Sequence, residues 1–337
     1  MPVHPTLETP VADRRSRHIL LTFAVFAACL WVAAAGPARA QFLGHNFHGD
    51  YGVLSATQPT PGAWLSPMYL RYDGDTLRNR NGDPVMIDPE RRGEIDVSSY
   101  VLGLWYVTES KLLGGSYSFA LFPALTDNTL EAPILELNQR SSTGWADLYI
   151  QPINLGWNTE RADFMAGLGV YAPVGRYDVD ADDNLGLGMW SVELFGGATL
   201  YFDRAKRWHF ATSAFYETHT EKKDTDITVG DILTLEGGLG RSWMEGAVTV
   251  GVAYYAQWKM TDDDLGIDFE LPGDRKLLGR HRVYGFGPDV TIPIATKKNL
   301  IAFLNLRYFW ESGARTTLEG NTFTFAATFP VPSIQLQ

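Results

Sequence analysis

The chain has 337 residues, a net charge of −11 at pH 7 and a single cysteine, Cys29. The acidic balance argues against nucleic-acid binding, and one cysteine cannot build a disulfide or a thiolate metal site. After residue 35, no apolar run approaches the 18 or so residues of a membrane helix. The 33 glycines and 10 tryptophans instead favour a strand-rich protein.

Residues 1–40 have the features of a secretory signal peptide. Three arginines within 14–17 precede an apolar stretch at 19–35, and Ala-Arg-Ala at 38–40 forms a small-x-small cleavage site. A membrane anchor is the alternative, which is disfavoured because no basic stop-transfer flank follows. Cleavage would remove Cys29 and leave a mature chain without cysteine.

The next segment, residues 41–62, contains Gly, His and Pro and shows no hydrophobic period. Two interpretations remain open for it. It is either a disordered lead in the periplasm, or a segment that enters the lumen of a barrel as a partial plug.

The chain then alternates between apolar and polar positions. In VTVGVAYYAQWKM, residues 248–260, one parity is apolar from end to end and the other is polar or small, as in a strand with two different faces. Most such segments have 10 to 15 residues, and a membrane-spanning strand needs about 9 to 11. About twelve strands are predicted: 63–72, 95–107, 111–122, 144–157, 161–172, 189–203, 207–220, 229–242, 246–260, 280–293, 298–310 and 320–330.

The connections between these strands alternate in length. Short turns are predicted at 108–110, 158–160, 204–206, 244–246 and 295–298. Longer loops are predicted at 73–94, 123–143, 173–188, 221–228, 261–279 and 311–319. Short periplasmic turns and longer extracellular loops are typical of bacterial outer-membrane barrels. The prediction is therefore an all-β, antiparallel transmembrane β-barrel at 63–330 in the outer membrane, with a C-terminal tail at 331–337.

Residues on the parity opposite the apolar face are expected to line the lumen. The candidates are Glu193, Glu217, Lys259 and Arg307 as an electrostatic lining, and Tyr201, Phe215 and Tyr255 as stacking contacts. A barrel of about twelve strands should have a narrow lumen, wide enough for small solutes when no plug blocks it. The alternative is that these charges pair across the lumen and only solvate its interior.

No catalytic, cofactor-binding or metal-binding residues are predicted. His209 and Ser213 share a strand face, but four residues of strand separate them by about 13 Å, so they cannot form a hydrogen bond. The acidic stretch 178–184 resembles the start of a calcium loop. However, Asp183 stands where Gly is needed and Met189 where the bidentate Glu is needed, so a solvated loop is expected.

Two segments, DLYIQPINLGW and YAPVGRYD, carry the most specific part of a family resemblance that extends from about residue 44 to 329. The chain resembles the bacterial outer-membrane family named for the meta-pathway of phenol degradation. The resemblance implies a channel-type barrel linked with uptake of aromatic or other hydrophobic compounds. Positions that match the family's pattern, interpreted as structural, are Gly144, Asp147, Pro152, Gly156, Trp157, Pro173, Gly175, Tyr177 and Asn184.

The predicted function is passive passage of small hydrophobic or aromatic compounds across the outer membrane. One alternative is a closed structural or lipid-binding barrel, and a lipid-modifying enzyme is a further, less favoured one. The expected partners are outer-membrane lipids and lipopolysaccharide, the barrel assembly machinery, and the solute. The chain ends on PVPSIQLQ after Phe329, which is expected to serve as the terminal aromatic that the assembly machinery recognises.

Overall fold

The computed structural model describes residues 43–84, 94–132, 137–179, 181, 183–243, 248–265, 279–295 and 300–331. The predicted signal peptide and residues 332–337 of the predicted tail lie outside this range. No helix among the described residues is long and apolar enough to cross a membrane.

The described residues form one antiparallel sheet of fourteen strand segments. They are β1 Gly62–Leu77, β2 Glu94–Leu112, β3 Gly115–Phe122, β4 Ala124–Ala132, β5 Leu137–Trp145, β6 Leu148–Asn158, β7 Ala162–Ala172, β8 Ser191–Tyr201, β9 Trp208–His219, β10 Ile232–Trp243, β11 Val248–Lys259, β12 Arg282–Ala295, β13 Leu300–Arg315 and β14 Leu318–Val331.

These segments make twelve barrel strands, which confirms the prediction. β3 and β4 both pair with β2 and are two halves of one strand, interrupted at Pro123, which has no N–H for the ladder. β5 and β6 pair with β4 and β3 in the same way. β1 pairs with both β2 and β14, so the sheet closes on itself and leaves no edge in the membrane.

The alternation of side chains matches the expected faces. On β11, Val250 and Val252 are exposed, whereas Tyr255 and Lys259 are buried. On β8, Leu194 is 61% exposed and its neighbour Glu193 only 1%. The outer surface is therefore apolar and suited to lipid, and the polar parity points into the barrel.

The two ends of the barrel differ in their connections. One end carries the start of β1, the end of β14 and the short turns 113–114, 159–161 and 202–207. The other end carries the connections 173–190, 220–231 and 260–281. We call these the turn end and the loop end. In barrels of this kind the turn end faces the periplasm and the loop end faces outward.

The predicted turn at 108–110 is wrong, because β2 continues through these residues to Leu112. The chain reverses instead at Leu113 and Gly114, whose φ angles are 52° and 82°. Positive φ at both central residues is the signature of a type I′ hairpin turn, whose twist matches that of the flanking strands. Leu at the first position hid this turn from the sequence analysis.

Two predicted long loops are also wrong. Residues 124–132 and 137–145 continue as β4 and β5, and β13 and β14 are joined by only Thr316 and Thr317. Both regions extend their strands at the loop end. Strand residues beyond the lipid need no apolar face, so the alternating pattern that predicts a membrane strand is missing there.

Candidate functional site in the barrel lumen

Residues 43–61, here called the lumen segment, lie inside the barrel. Near its start, His45 contacts Ser191 at the beginning of β8, at the loop end. Near its finish, Thr57 contacts Asp163 at the beginning of β7, at the turn end. The segment therefore runs along the barrel axis from the loop end to the turn end and then continues into β1.

Three inward carboxylates hold the backbone of this segment. Glu217 on β9, Glu236 on β10 and Asp289 on β12 accept its N–H groups, as carboxylates do at helix N-termini. The donors are His45 and Asn46 to Glu217, Gly49 and Tyr51 to Glu236, and Val53 to Asp289, with distances between 2.7 and 3.0 Å. The segment contains turns but no helix or strand, so these bonds satisfy N–H groups that would otherwise be buried unpaired.

Arg307 on β13 holds the carbonyl groups of the same stretch. Its Nη1 donates to the carbonyl oxygen of Gly49 at 3.0 Å and to that of Asp50. Its Nε lies 3.5 Å from Asp289 Oδ2. Gly52 allows this approach, because a Cβ there would lie only 1.9 Å from the Asp289 carboxylate.

His45 makes a buried polar cluster at the loop end. Its Nδ1 lies 2.7 Å from Ser191 Oγ, and its Nε2 lies 2.9 Å from Asp147 Oδ2. These are the residue types of a Ser–His–Asp triad, although in that triad Nε2 contacts the serine and Nδ1 contacts the aspartate. However, Ser191 is only 1% exposed, and the Glu217 carboxylate lies 3.5 Å from His45 Nδ1. A negative charge beside the serine opposes the oxyanion that acyl transfer would create.

The connection between β7 and β8, residues 173–190, folds over the mouth of the barrel. Asp147 accepts the N–H of Gly175 at 2.9 Å and that of Leu187 at 2.7 Å. The side chain of Asn184 bridges the N–H and the carbonyl oxygen of Asp178. Family-pattern residues therefore fix this connection in place.

Lys222, in the connection between β9 and β10, lies at the same end. Its Nζ is 5.8 Å from the centre of the Tyr177 ring. Burial lowers the pKa of Lys222 to about 8, partly offset by the nearby charges of Asp147 and Asp263.

The lumen segment leaves one side of the lumen open. A cavity of about 480 Å³ lies between it and the inner faces of β1–β4 and β6. Its apolar lining includes Met68, Leu70, Val97, Val101, Trp105, Val107, Phe122, Leu185 and Leu187. Charged side chains, among them Glu193, Glu236, Asp289 and Arg307, line its other side. This volume is in the range of small-molecule sites, which are mostly apolar with a few polar groups.

An aromatic band crosses the wall of this cavity. Phe122, Tyr149 and Tyr171 are consecutive cross-strand partners on β3, β6 and β7. Their ring centres are 5.5 Å and 4.2 Å apart, and both pairs are stacked. Trp105 meets Phe122 edge-on at 5.5 Å. The Nε1 of Trp105 is buried with no hydrogen-bond partner among the described residues.

The seven residues proposed from the sequence all point inward, but only Glu193 and Arg307 line the cavity. The other five are engaged as follows: Glu217 holds the lumen segment, Lys259 pairs with Asp263 at 2.6 Å, Tyr255 donates to Glu311, Tyr201 donates to Asp163, and Phe215 packs on Tyr51. They therefore act in support of the filled half of the lumen.

Sequence reasoning missed Glu236 and the cavity wall. Glu236 is the only charged residue before Arg241 in the otherwise apolar or small strand ILTLEGGLGRSW, and it shares the inward parity of Thr234 and Gly238. That isolated charge was an available signal. For the cavity wall, the available signal was the stretch VSSYVLGLWYV at 97–107, which is apolar on both faces toward its end, as expected for a covered lumen wall.

A closed twelve-stranded barrel with an apolar outer surface and a polar interior is the architecture of bacterial outer-membrane proteins. The chain is a barrel of this class, with a lumen that is half filled and half open.

The profile of a family described as "Putative MetA-pathway of phenol degradation" matches residues 74–327. The chain belongs to this family, which confirms the resemblance seen in the sequence. No curated protein matches the chain.

Among solved structures, the chain is similar to the COG4313 outer membrane channel from Pseudomonas putida F1. The TM-score is 0.67 at 14% identity, covering 85% of this chain and 99% of that one. The β domain of the Bordetella autotransporter BrkA gives a TM-score of 0.42 at 13% identity, covering 79% of this chain and 100% of that one. A Pseudomonas aeruginosa FadL homologue gives a TM-score of 0.35 at 11% identity, covering 80% of this chain and 90% of that one. The first of these likenesses supports the fold.

Proposed function

We propose that the protein is an outer-membrane channel for passive passage of small hydrophobic or aromatic compounds. The observation that carries this proposal is the cavity of about 480 Å³ between the lumen segment and the wall of β1–β4 and β6. Its apolar lining and its aromatic band suit a flat, uncharged molecule. Membership of the phenol-degradation family agrees with it, as does the likeness in fold to an outer membrane channel.

The lumen segment gives such a channel its selectivity. Its N–H groups engage the carboxylates of Glu217, Glu236 and Asp289, so hydrated ions meet an obstructed lumen whose charges already have partners. An apolar solute can use the apolar side chains of the remaining cavity. We therefore expect low ionic conductance together with measurable uptake of neutral aromatic molecules.

Two neighbouring residues allow a direct test of the path. Val101 on β2 lines the cavity, whereas Leu102 is 37% exposed on the outer face. Val101→Trp should narrow the cavity and slow the entry of phenol into proteoliposomes. Leu102→Trp adds the same bulk toward lipid and should leave entry unchanged. Equal entry rates in both variants and the parent would exclude the cavity as the path.

A closed structural barrel is the second candidate, and the docked lumen segment favours it. This candidate predicts that the parent protein admits no more phenol than empty liposomes do. Weakening the anchors of the lumen segment would then release it and allow phenol to enter the liposomes.

The Ser191–His45–Asp147 cluster is, in this proposal, an anchor of the lumen segment rather than a catalytic site. Its buried serine, the adjacent Glu217 carboxylate and its attachment to the segment support that role. The outer surface contacts membrane lipid, and β14 with Phe329 presents the terminal strand to the assembly machinery.

A further inference from the structure

A group of arginines occupies one corner of the loop end. Three stretches of chain meet there, around residues 78–82, 279–282 and 315–317. Thr316 connects them, because its N–H donates to the carbonyl oxygen of Asn79 at 3.3 Å and its hydroxyl donates to that of Gly279 at 3.4 Å. The arginines of this corner are Arg78, Arg80, Arg280, Arg282 and Arg315.

Two of these arginines are neutralised locally. Arg78 pairs with Glu319, and Arg280 pairs with Asp262 at 3.1 Å. Within the described ranges, no carboxylate forms an ion pair with the remaining three, which are Arg80, Arg282 and Arg315. We call these three the rim arginines.

Arg282 and Arg315 are direct cross-strand partners at the ends of β12 and β13. Both face outward, because their neighbours Val283 and Ala314 are buried toward the interior. Like charges directly opposite each other on two strands are destabilising. An anion between the two guanidinium groups would convert this repulsion into attraction.

The position of the pair relative to the membrane indicates which anion is available. Phe286 on β12 is 53% exposed, and its partner Trp310 on β13 is 48% exposed. In outer-membrane barrels, girdles of exposed aromatic residues mark the interface between lipid tails and polar groups. Arg282 lies four residues beyond Phe286 on the same face, or about 13 Å further toward the outside. That is the level of lipid headgroups in the outer leaflet.

We propose that the rim arginines bind a phosphate group of lipopolysaccharide in the outer leaflet. The guanidinium group is planar and carries five donors, which suits a phosphate with several acceptor oxygens. Arg80 adds a third guanidinium to this corner beside Gly279, three residues before Arg282, because a Cβ on Gly279 would lie 3.5 Å from its Nε. The site is independent of the lumen and of solute passage.

The test uses the full mature barrel in detergent micelles. The binding probe is lipid A with both phosphates, compared with the same lipid after removal of the phosphates, and with inorganic phosphate. The test variant is Arg282→Gln with Arg315→Gln. The matched control is Arg207→Gln with Arg241→Gln, which also removes two positive charges, but at the turn end.

We expect the test variant to bind phosphorylated lipid A at least about tenfold more weakly than the parent, as the loss of charge-assisted bonds implies. The control should bind like the parent, and the dephosphorylated lipid should not distinguish the three proteins. Equal affinity of the parent and the test variant would overturn the proposal. Competition by inorganic phosphate at the same concentration as lipid A would overturn the assignment to lipid.

Folding of each variant is checked by heat-modifiable gel mobility. Where the double variant does not fold, Arg80→Gln replaces it, because Arg80 lies in a connection outside the strands. The single variant should also weaken binding of phosphorylated lipid A, and unchanged binding would count against the site.

Discussion

Replacing Glu236 by Gln should weaken the docking of the lumen segment in the barrel. The two carboxylate oxygens of Glu236 accept the N–H of Gly49 at 2.9 Å and that of Tyr51 at 2.8 Å. An amide of the same shape keeps one acceptor oxygen and turns an NH₂ group toward the other N–H. One hydrogen bond is then lost, and a buried donor faces another donor.

The size of the effect follows from these two bonds. A hydrogen bond to a charged group contributes about 1.5 to 3 kcal/mol, and an unsatisfied buried donor costs about 1 to 3 kcal/mol. We take about 3 kcal/mol as the loss of docking free energy caused by Glu236→Gln, which raises the undocked population about 100-fold. Glu217, Asp289 and Arg307 still hold the flanking stretches, so the docked state remains the major one, and Ser55 becomes accessible when the segment undocks as a unit.

Cysteine labelling measures this population directly. Ser55 is 5% exposed and lies within the docked stretch, where Ser213 donates to its hydroxyl at 3.0 Å. Ser55→Cys introduces a nearly isosteric thiol into a mature chain that is predicted to have no other cysteine. When docking and undocking are fast, the rate of maleimide labelling is proportional to the undocked fraction.

Glu236→Gln should therefore increase the labelling rate of the Ser55→Cys protein about 100-fold. Glu160→Gln, an exposed carboxylate in the turn between β6 and β7, is the matched control and should leave the rate unchanged. An unchanged rate in Glu236→Gln, with folding confirmed by gel mobility, would refute the idea that the carboxylates dock the segment.

Three further predictions concern other parts of the barrel. Gly114→Val should lower the free energy of unfolding by about 1 to 2 kcal/mol, because a branched side chain is strained at φ 82°. An unchanged urea midpoint of unfolding would contradict the type I′ turn at Leu113 and Gly114. The pKa of Lys222 is lowered from 10.5 to about 8, so between these pH values the unfolded state binds more protons than the folded state. The stability of the parent should therefore rise with pH across this window, and Lys222→Met should lose that rise. The measurement is the urea midpoint of unfolding as a function of pH. Neither the parent nor Ser191→Ala should react with a fluorophosphonate probe, and labelling of the parent alone would identify Ser191 as a nucleophile.

The sequence by itself determined the barrel. Strand alternation has a period of two and is local, so twelve strands and their lipid faces could be predicted from short windows such as 248–260. The two wrongly predicted loops fell where the strands leave the lipid, at 123–143 and 311–319, because an apolar face is no longer required there. The inward parity of Glu217 and Arg307 could be predicted in the same way.

Only the tertiary structure decided what fills the lumen. Residues 43–61 have no period, and their partners are far along the chain: Gly49 and Glu236 are 187 residues apart. Inward parity shows that a side chain enters the lumen, but it does not show whether that side chain meets water, a solute or another part of the chain. The cavity lies beside the lumen segment because the carboxylates that anchor the segment lie on β9, β10 and β12, while the opposite wall of β1–β4 and β6 presents apolar and uncharged polar side chains. That division depends on the curvature of a closed sheet, which brings distant strands to face each other and which no local window contains.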